Sequence, residues 1–237
     1  MQLFVWLTFV FFMSMIGSIV VFIINERWIN QKMPLLMGVS VGVVLATTIW
    51  SLLVPSFEYN NNDFVIMLSF SLGYIILLMI ELLSVKNNKT NFIGETYLAI
   101  TLHNIPEGLI IGLGFGAMQS VTNSFSAIAL AFAIGIQNFP ESISLSVVLK
   151  ERKISRNKII MLSFVSAAVE PVFGVLGYIL SYYIINMIGL IMGFTAGMML
   201  FVVISEMIVN TLKRNKIIGM IGILIGFVII MILEKIL

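Results

Sequence analysis

The 237-residue chain has no cysteine, one histidine and few charged residues. The missing thiols exclude disulfides, thiolate metal sites and cysteine nucleophiles. Only 10% of the residues are charged, whereas about 25% is usual in soluble domains. Hydrophobic residues make up 60%, more than a soluble fold of this size can bury. The composition excludes a soluble enzyme, a nucleic-acid-binding protein and a disordered chain, and it indicates an all-α polytopic membrane protein.

Hydrophobic stretches follow one another along the whole chain. A helix needs about 20 mostly apolar residues to cross the hydrocarbon layer. Eight stretches have this length, at about residues 3–24, 34–57, 64–84, 95–117, 124–149, 159–182, 184–212 and 217–233. We therefore predict eight transmembrane helices in one transporter domain, residues 1–237, with no room for a soluble domain.

The positions of the basic residues predict the orientation. Twelve of the 13 lysines and arginines lie in the loops that follow spans one, three, five and seven. Cytoplasmic loops of membrane proteins are enriched in these residues. We therefore expect both termini outside the cell. A composition rich in isoleucine, asparagine and lysine is typical of an AT-rich bacterium, and the bacterial inner membrane is the expected location.

Five glutamates fall inside the predicted spans, namely Glu81, Glu107, Glu141, Glu170 and Glu206. Each carboxylate costs about 2.5–3.5 kcal/mol at the centre of a membrane helix. No lysine or arginine lies inside a span, so ion pairs between helices cannot offset the cost. Protons or a bound cation must therefore supply the compensating charge. Glu107, Glu141 and Glu170 fall near the midplane, and the other two lie toward the cytoplasmic side.

Two similar motifs surround the midplane acids. Residues 103–108 (HNIPEG) in span four are matched by residues 137–142 (QNFPES) in span five. His103 and Glu107 share a helix face because they are four residues apart. Consecutive spans run in opposite directions, so the two motifs predict an inverted repeat about an axis in the membrane plane. Each proline frees a backbone carbonyl at mid-depth, which is tolerated where it lines a cavity or an ion site.

The ligands that these motifs offer are imidazole, carboxylate and carboxamide. This set suits Zn²⁺, Fe²⁺, Mn²⁺, Co²⁺ or Cd²⁺ and does not favour Cu⁺. An imidazole is also an unusual ligand for Mg²⁺ or Ca²⁺, which take oxygen donors. We therefore predict a divalent metal as the substrate, with no separate cofactor.

Two other functions account for parts of the pattern. In a proton- or sodium-coupled carrier of another solute, the glutamates would form a relay. An intramembrane metalloenzyme is less consistent with the sequence, because there is no H-E-x-x-H motif and a proline interrupts the helix that carries the histidine. A structural scaffold would explain none of the buried acids.

In these motifs the chain resembles the ZIP (Zrt/Irt-like) family of divalent-metal transporters, nearest its bacterial GufA-like branch. Residues 168–171 (AVEP), 202–206 (VVISE) and 38–55 are also similar to family patterns. The resemblance implies a ZIP-like helix bundle, import of zinc or a related metal into the cytoplasm, and a homodimer. It also implies an elevator-like motion of helices one, four, five and six against the others.

By motif match, the resemblance implies two adjoining metal sites and an exit route. The residues concerned are His103, Glu107, Gln137 and Glu141 for the first site, Asn104, Asn138 and Glu170 to complete the second, with Glu107 and Glu141 bridging, and Glu206 for the cytoplasmic exit. Gln137 replaces a histidine of many relatives, which should weaken the first site. Asn138 is neutral where some relatives have aspartate, which should lower the metal affinity of the second site.

Overall fold

The hydrophobic stretches form eight helices in the part of the chain that the structure describes. The structure is a computed structural model that describes residues 1–59, 62–86, 92–117, 124–183 and 187–236. Its helices are α1 (Gln2–Val20), α2 (Glu26–Thr47, continuing through Thr48–Leu53 and Val54–Glu58), α3 (Asp63–Lys86), α4 (Phe92–Ala117), α5 (Ser124–Glu151), α6 (Arg156–Tyr183), α7 (Ile188–Val202, continuing through Val203–Ile208 and Val209–Arg214) and α8 (Lys216–Ile236).

Within the described residues, six of the helices are long and apolar enough to cross a membrane, namely α1, α2, α3, α5, α6 and α7. The apolar stretch of α8, Lys216–Ile232, is shorter in the described residues. The side chains of residues 92–103, in the first part of α4, lie outside the described part of the structure. The fold agrees with an all-α polytopic membrane protein, while the number of eight spans and the position of the termini stay predictions.

The second helix begins earlier than predicted. We expected it near Pro34, where the hydrophobic run starts, but α2 already begins at Glu26. The Asn25 side chain accepts a hydrogen bond from the Trp28 backbone N–H at 2.8 Å and caps the first turn. Pro34 therefore lies inside the helix. A hydrophobicity criterion misses this polar first part of α2 because it detects only the apolar run.

The eight helices pack as four close pairs that form two bundles. The most extensive contacts join α1 to α5 and α4 to α6 in a first bundle, and α2 to α8 and α3 to α7 in a second bundle. Contacts between the bundles are made mainly by α5 with α2 and by α4 with α7. A hydrophobic cluster that includes Val10, Val44, Ile111 and Ala196 draws residues from both bundles.

Glycines bring the helices close together within each bundle. In the first bundle, a Cβ added to Gly112 of α4 would overlap the Gly174 carbonyl oxygen of α6. In the second, a Cβ on Gly42 of α2 would overlap the Ile223 carbonyl oxygen of α8, and one on Gly197 of α7 would overlap the Phe70 carbonyl oxygen of α3. Every described glycine that makes such a contact makes it within its own bundle. Backbone-to-backbone packing therefore joins helices inside a bundle and not across the boundary.

Both α2 and α7 contain a π-helical segment in their second half. The segments are Thr48–Leu53 in α2 and Val203–Ile208 in α7, and the second contains Glu206. Such segments are rare and occur often at functional sites. Because both lie in the second bundle, their irregular hydrogen bonding is separate from the helices that carry the paired motifs.

The glycine contacts generate a stability prediction. Gly112→Ala should lower the free energy of unfolding by about 1–3 kcal/mol, because the new methyl group overlaps the backbone of α6. In Gly193→Ala, the control, the Cβ would meet Ile66 Cγ2 at 3.3 Å and can be accommodated by a small shift. Both variants gain the same helix propensity, so their difference isolates the steric clash. The measurement is the midpoint of thermal unfolding in one detergent, and equal midpoints would contradict the prediction.

Candidate metal centre

The three acids that the sequence places near the midplane each stand next to a proline, on three different helices. Glu107 follows Pro106 in α4, Glu141 follows Pro140 in α5, and Glu170 precedes Pro171 in α6. Each helix continues through its proline, which has no N–H and leaves the carbonyl four residues earlier without its helical donor. Gly108 allows the close approach of α4 to α6, since a Cβ there would lie 2.9 Å from the Glu170 Cα. Each acid therefore lies next to a proline whose missing N–H leaves a backbone carbonyl one turn earlier without its helical hydrogen bond.

One layer of the centre joins α4 to α5. The Gln137 Nε2 donates a hydrogen bond to Glu107 Oε1, and both side chains are buried. The Gln137 Oε1 is also buried and has no hydrogen-bond partner within the described residues. From the second bundle, the Ser40 hydroxyl donates to the Gln137 backbone carbonyl at 3.2 Å. This layer therefore presents a carboxylate and a carboxamide oxygen at the boundary between the bundles.

A second layer joins α5 to α6. The Asn138 Nδ2 donates to both carboxylate oxygens of Glu170, at 2.7 and 2.8 Å. Glu170 is fully buried, and the Asn138 side chain is only 2% exposed. From α4, the Asn104 Nδ2 donates to the Ser166 carbonyl at 3.0 Å and to its hydroxyl at 3.2 Å. Both amides thus donate their N–H groups to the protein, and the Asn138 Oδ1 has no hydrogen-bond partner within the described residues.

A small polar cavity of about 10 Å³ lies beside the second layer. Four of the predicted site residues line it, namely Asn104, Asn138, Glu141 and Glu170. Sequence reasoning missed its other polar side chains, the hydroxyls of Ser14, Ser18, Ser142, Ser163 and Ser166. The available signal was serine at spacings of three or four residues inside apolar spans, since such spacing puts hydroxyls on one helix face.

The structure does not bring all eight predicted residues into one cluster. Of His103, only the backbone lies in the described structure, and its side chain lies outside it. Glu206 is half-buried on the π-helical segment of α7, in the other bundle, and does not line the cavity. Within the described residues, no three His, Cys, Asp or Glu side chains are grouped as a metal site. Any metal held here would therefore need the amide and hydroxyl oxygens as well as the carboxylates.

The chemistry of the centre follows from its donors. Carboxylates supply the charge that a divalent cation requires, while amide oxygens and hydroxyls bind more weakly. No thiolate is available, because the chain has no cysteine. A weak, mixed ligand set permits a bound metal to leave again, as transport requires.

Comparison with known proteins identifies the protein family of the chain. The family model described as ZIP Zinc transporter matches residues 95–234, which is more than half of the chain and includes all eight predicted site residues. The chain therefore belongs to the ZIP zinc transporter family. This agrees with the predicted class, a membrane transporter and not an enzyme.

Individual relatives carry the same description. The chain is 36% identical over 114 residues to zinc transporter GufA of Myxococcus xanthus, which covers 47% of this chain and 42% of that protein. It is 36% identical over 113 residues to the zinc transporters ZIP11 of Xenopus tropicalis and Homo sapiens, covering 47% of this chain and 34% and 33% of those proteins. The chain thus spans less than half the length of each of these relatives.

The hydrogen bonds from Asn138 to Glu170 in the second layer generate a stability prediction. Asn138→Ala removes both hydrogen bonds to the buried Glu170 carboxylate, and hydrogen bonds to a charged group contribute about 1.5–3 kcal/mol each. We expect a clear loss of thermal stability, measured in detergent with a chelator present. Ser146→Ala is the matched control, because Ser146 is also buried on α5 but its hydroxyl has no hydrogen-bond partner within the described residues. If the control lost as much stability as Asn138→Ala, the amide would have no special role.

Proposed function

We propose that the protein carries divalent transition metals, zinc first among them, across the bacterial inner membrane into the cytoplasm. The metal passes through the candidate metal centre, where the two layers form two adjoining sites. The observation that carries the proposal is the meeting of buried carboxylates and amides from α4, α5 and α6. Membership of the ZIP family supports a metal ion as the substrate.

The two sides of the centre differ in polarity, which supports a route for release. On the side of the α1 N-terminus, residues such as Leu7, Ile111 and Ala131 pack into the hydrophobic cluster. On the other side, Ser18 and Ser163 line the polar cavity. The basic loops assign this second side to the cytoplasm. The described arrangement therefore corresponds to a carrier that is closed to the outside and polar toward the cytoplasm.

The division into two bundles supports transport by relative movement. The first bundle carries the two layers of the centre and is held together by glycine contacts. The second bundle meets it through α2 and α7, which hold Ser40 and Glu206. A shift of the first bundle along this boundary would expose the centre to one side and then to the other. Glu206 would then receive the metal on its way out.

Paired motifs and paired helix contacts support an inverted repeat. Exchanging α1 with α6, α2 with α7, α3 with α8 and α4 with α5 turns the α1–α5 pair into α6–α4, and α2–α8 into α7–α3. Both π-helical segments also exchange under this operation. The resemblance further implies a homodimer, which stays a prediction.

Metal flux tests the proposed function directly. Glu141→Ala should abolish zinc uptake into proteoliposomes, because it removes a carboxylate that lines the cavity beside the second layer. If the variant binds the metal with about 3 kcal/mol less free energy, its metal affinity decreases by more than a hundredfold. Glu58→Ala is the control, since Glu58 is exposed at the end of α2 and should leave uptake unchanged. His103→Ala tests the predicted imidazole ligand in the same assay. Undiminished uptake by Glu141→Ala would overturn the site assignment.

Metal preference is tested at the first layer. Gln137→His replaces a weak carboxamide ligand by an imidazole, which should tighten zinc binding by roughly tenfold while changing Mg²⁺ binding little. Equilibrium titration of the purified protein with each metal measures the affinities. An unchanged zinc affinity would remove Gln137 from direct contact with the metal.

A further inference from the structure

The two π-helical segments differ in the sequence that surrounds them. Each is six residues long and is followed by a short final piece of helix, Val54–Glu58 in α2 and Val209–Arg214 in α7. When both segments are counted from their first residue, Pro55 of α2 corresponds to Asn210 of α7. The same kind of irregular turn therefore stands at the same place in two helices, with a proline after one and not after the other.

The sequence of α2 accounts for its π-helical segment. Pro55 has no N–H, and in a regular α-helix its ring would clash with the carbonyl four residues earlier. The Val54 N–H donates instead to the Ile49 carbonyl, five residues earlier, which is the spacing of a π-helix. At the start of the segment, the Thr48 hydroxyl donates to the Val44 carbonyl at 2.7 Å, a bond that often bends a helix. The segment in α2 is therefore fixed by its own sequence.

The sequence of α7 contains neither of these causes. Val203 stands at the place of Thr48 and has no hydroxyl, while Asn210 keeps the N–H that Pro55 lacks. The one hydroxyl inside the segment, on Ser205, has no hydrogen-bond partner within the described residues. Since π-helical segments are rare and often mark functional sites, one without a local cause points to function.

A small change in hydrogen bonding separates this segment from a regular α-helix. The Val209 N–H donates to the Glu206 carbonyl, three residues earlier, and would donate to the Ser205 carbonyl in a regular helix. Conversion removes the extra residue of the wide turn, which rotates the following residues by about 100° and shifts them by about 1.5 Å along the axis. Only the six residues of the final piece follow before the extended backbone of Asn215. Few contacts therefore have to be exchanged.

We propose that the π-helical segment of α7 is a register switch, which converts between the described form and a regular α-helix during transport. Glu206 lies inside the segment and does not line the cavity in the described form, so conversion changes the direction of its side chain. The segment of α2 stays fixed. The switch lies within the second bundle and is therefore separate from the movement of the bundles. Its role in releasing metal on the cytoplasmic side rests on the proposed function.

The absence of cysteine allows two spin labels to measure the switch. Arg27→Cys and Lys213→Cys place the labels on exposed residues of α2 and α7, both in the second bundle, so movement of the bundles leaves their distance unchanged. A rotation of about 100° moves a side chain on the helix surface by about 8 Å. Pulsed electron paramagnetic resonance should show two distances whose populations differ between Zn²⁺ and a chelator. Arg27→Cys with Lys216→Cys, at the start of α8, is the control pair and should show one constant distance.

Asn210→Pro should lock the segment, because it gives α7 the residue that fixes the segment of α2. In a regular α-helix the new ring would clash with the Glu206 carbonyl, whereas in the described form that carbonyl accepts from the Val209 N–H. We expect one distance between the labels on residues 27 and 213, with and without zinc, and zinc uptake at least about tenfold lower. Asn210→Ala is the matched control, since it removes the same side chain but keeps the N–H. It should retain both distances and full uptake.

The outcomes separate the switch from the transport function. A single distance that zinc does not change, in protein that takes up zinc, would overturn the switch, and this measurement needs no proline variant. Zinc-dependent distances in Asn210→Pro equal to those without the proline would also overturn it, as would full uptake by Asn210→Pro with one fixed distance. A zinc-dependent change in distance without zinc uptake by the unlabelled protein would leave the switch and overturn the proposed function.

Discussion

The structure depends on the burial of the Glu107 and Glu170 carboxylates where α4, α5 and α6 meet, with the half-buried Glu141 beside them. Each feature around the centre reduces this electrostatic cost. Gln137 donates to Glu107, and Asn138 donates to both oxygens of Glu170. Gly108 lets α4 approach α6 closely enough for the acids to share one region. Neutral amides lower the cost without cancelling the charge, so the centre retains its attraction for cations.

Close packing complements this electrostatic constraint. Polar groups can be placed accurately only on helices that do not slide past each other, and backbone contact at glycine provides that rigidity. Gly112 and Gly177 both bring α4 and α6 together near the second layer. Without a hydrophobic driving force between helices in lipid, such contacts are a main source of association. The same packing therefore stabilises the first bundle and fixes the geometry of the centre.

Sequence predicted the all-α fold and singled out Glu107, Asn138 and Glu170, which the structure buries together, because charge in apolar spans is a rare and informative pattern. Their role as metal ligands stays a prediction. The pairing of Asn138 with Glu170 joins α5 to α6, and no spacing along one helix could have indicated it. Ser18 escaped attention for a different reason, since a serine in a membrane span is common and its importance depends on what faces it. The early start of α2 was missed because its first turns are polar. Tertiary contacts across helices, rather than local periodicity, supplied the missing information.

Two methionines lie in one part of the boundary between the bundles. Met33 and Met37 of α2 pack there against Ile143 and Val147 of α5. Methionine is unbranched and flexible, so it can exchange one set of neighbours for another at little cost. The boundary at these methionines can therefore adapt to small shifts in the packing of the two bundles. Substitutions inside a bundle should appear as lost stability, whereas branched residues in place of these methionines should appear as slower turnover in a protein of normal stability.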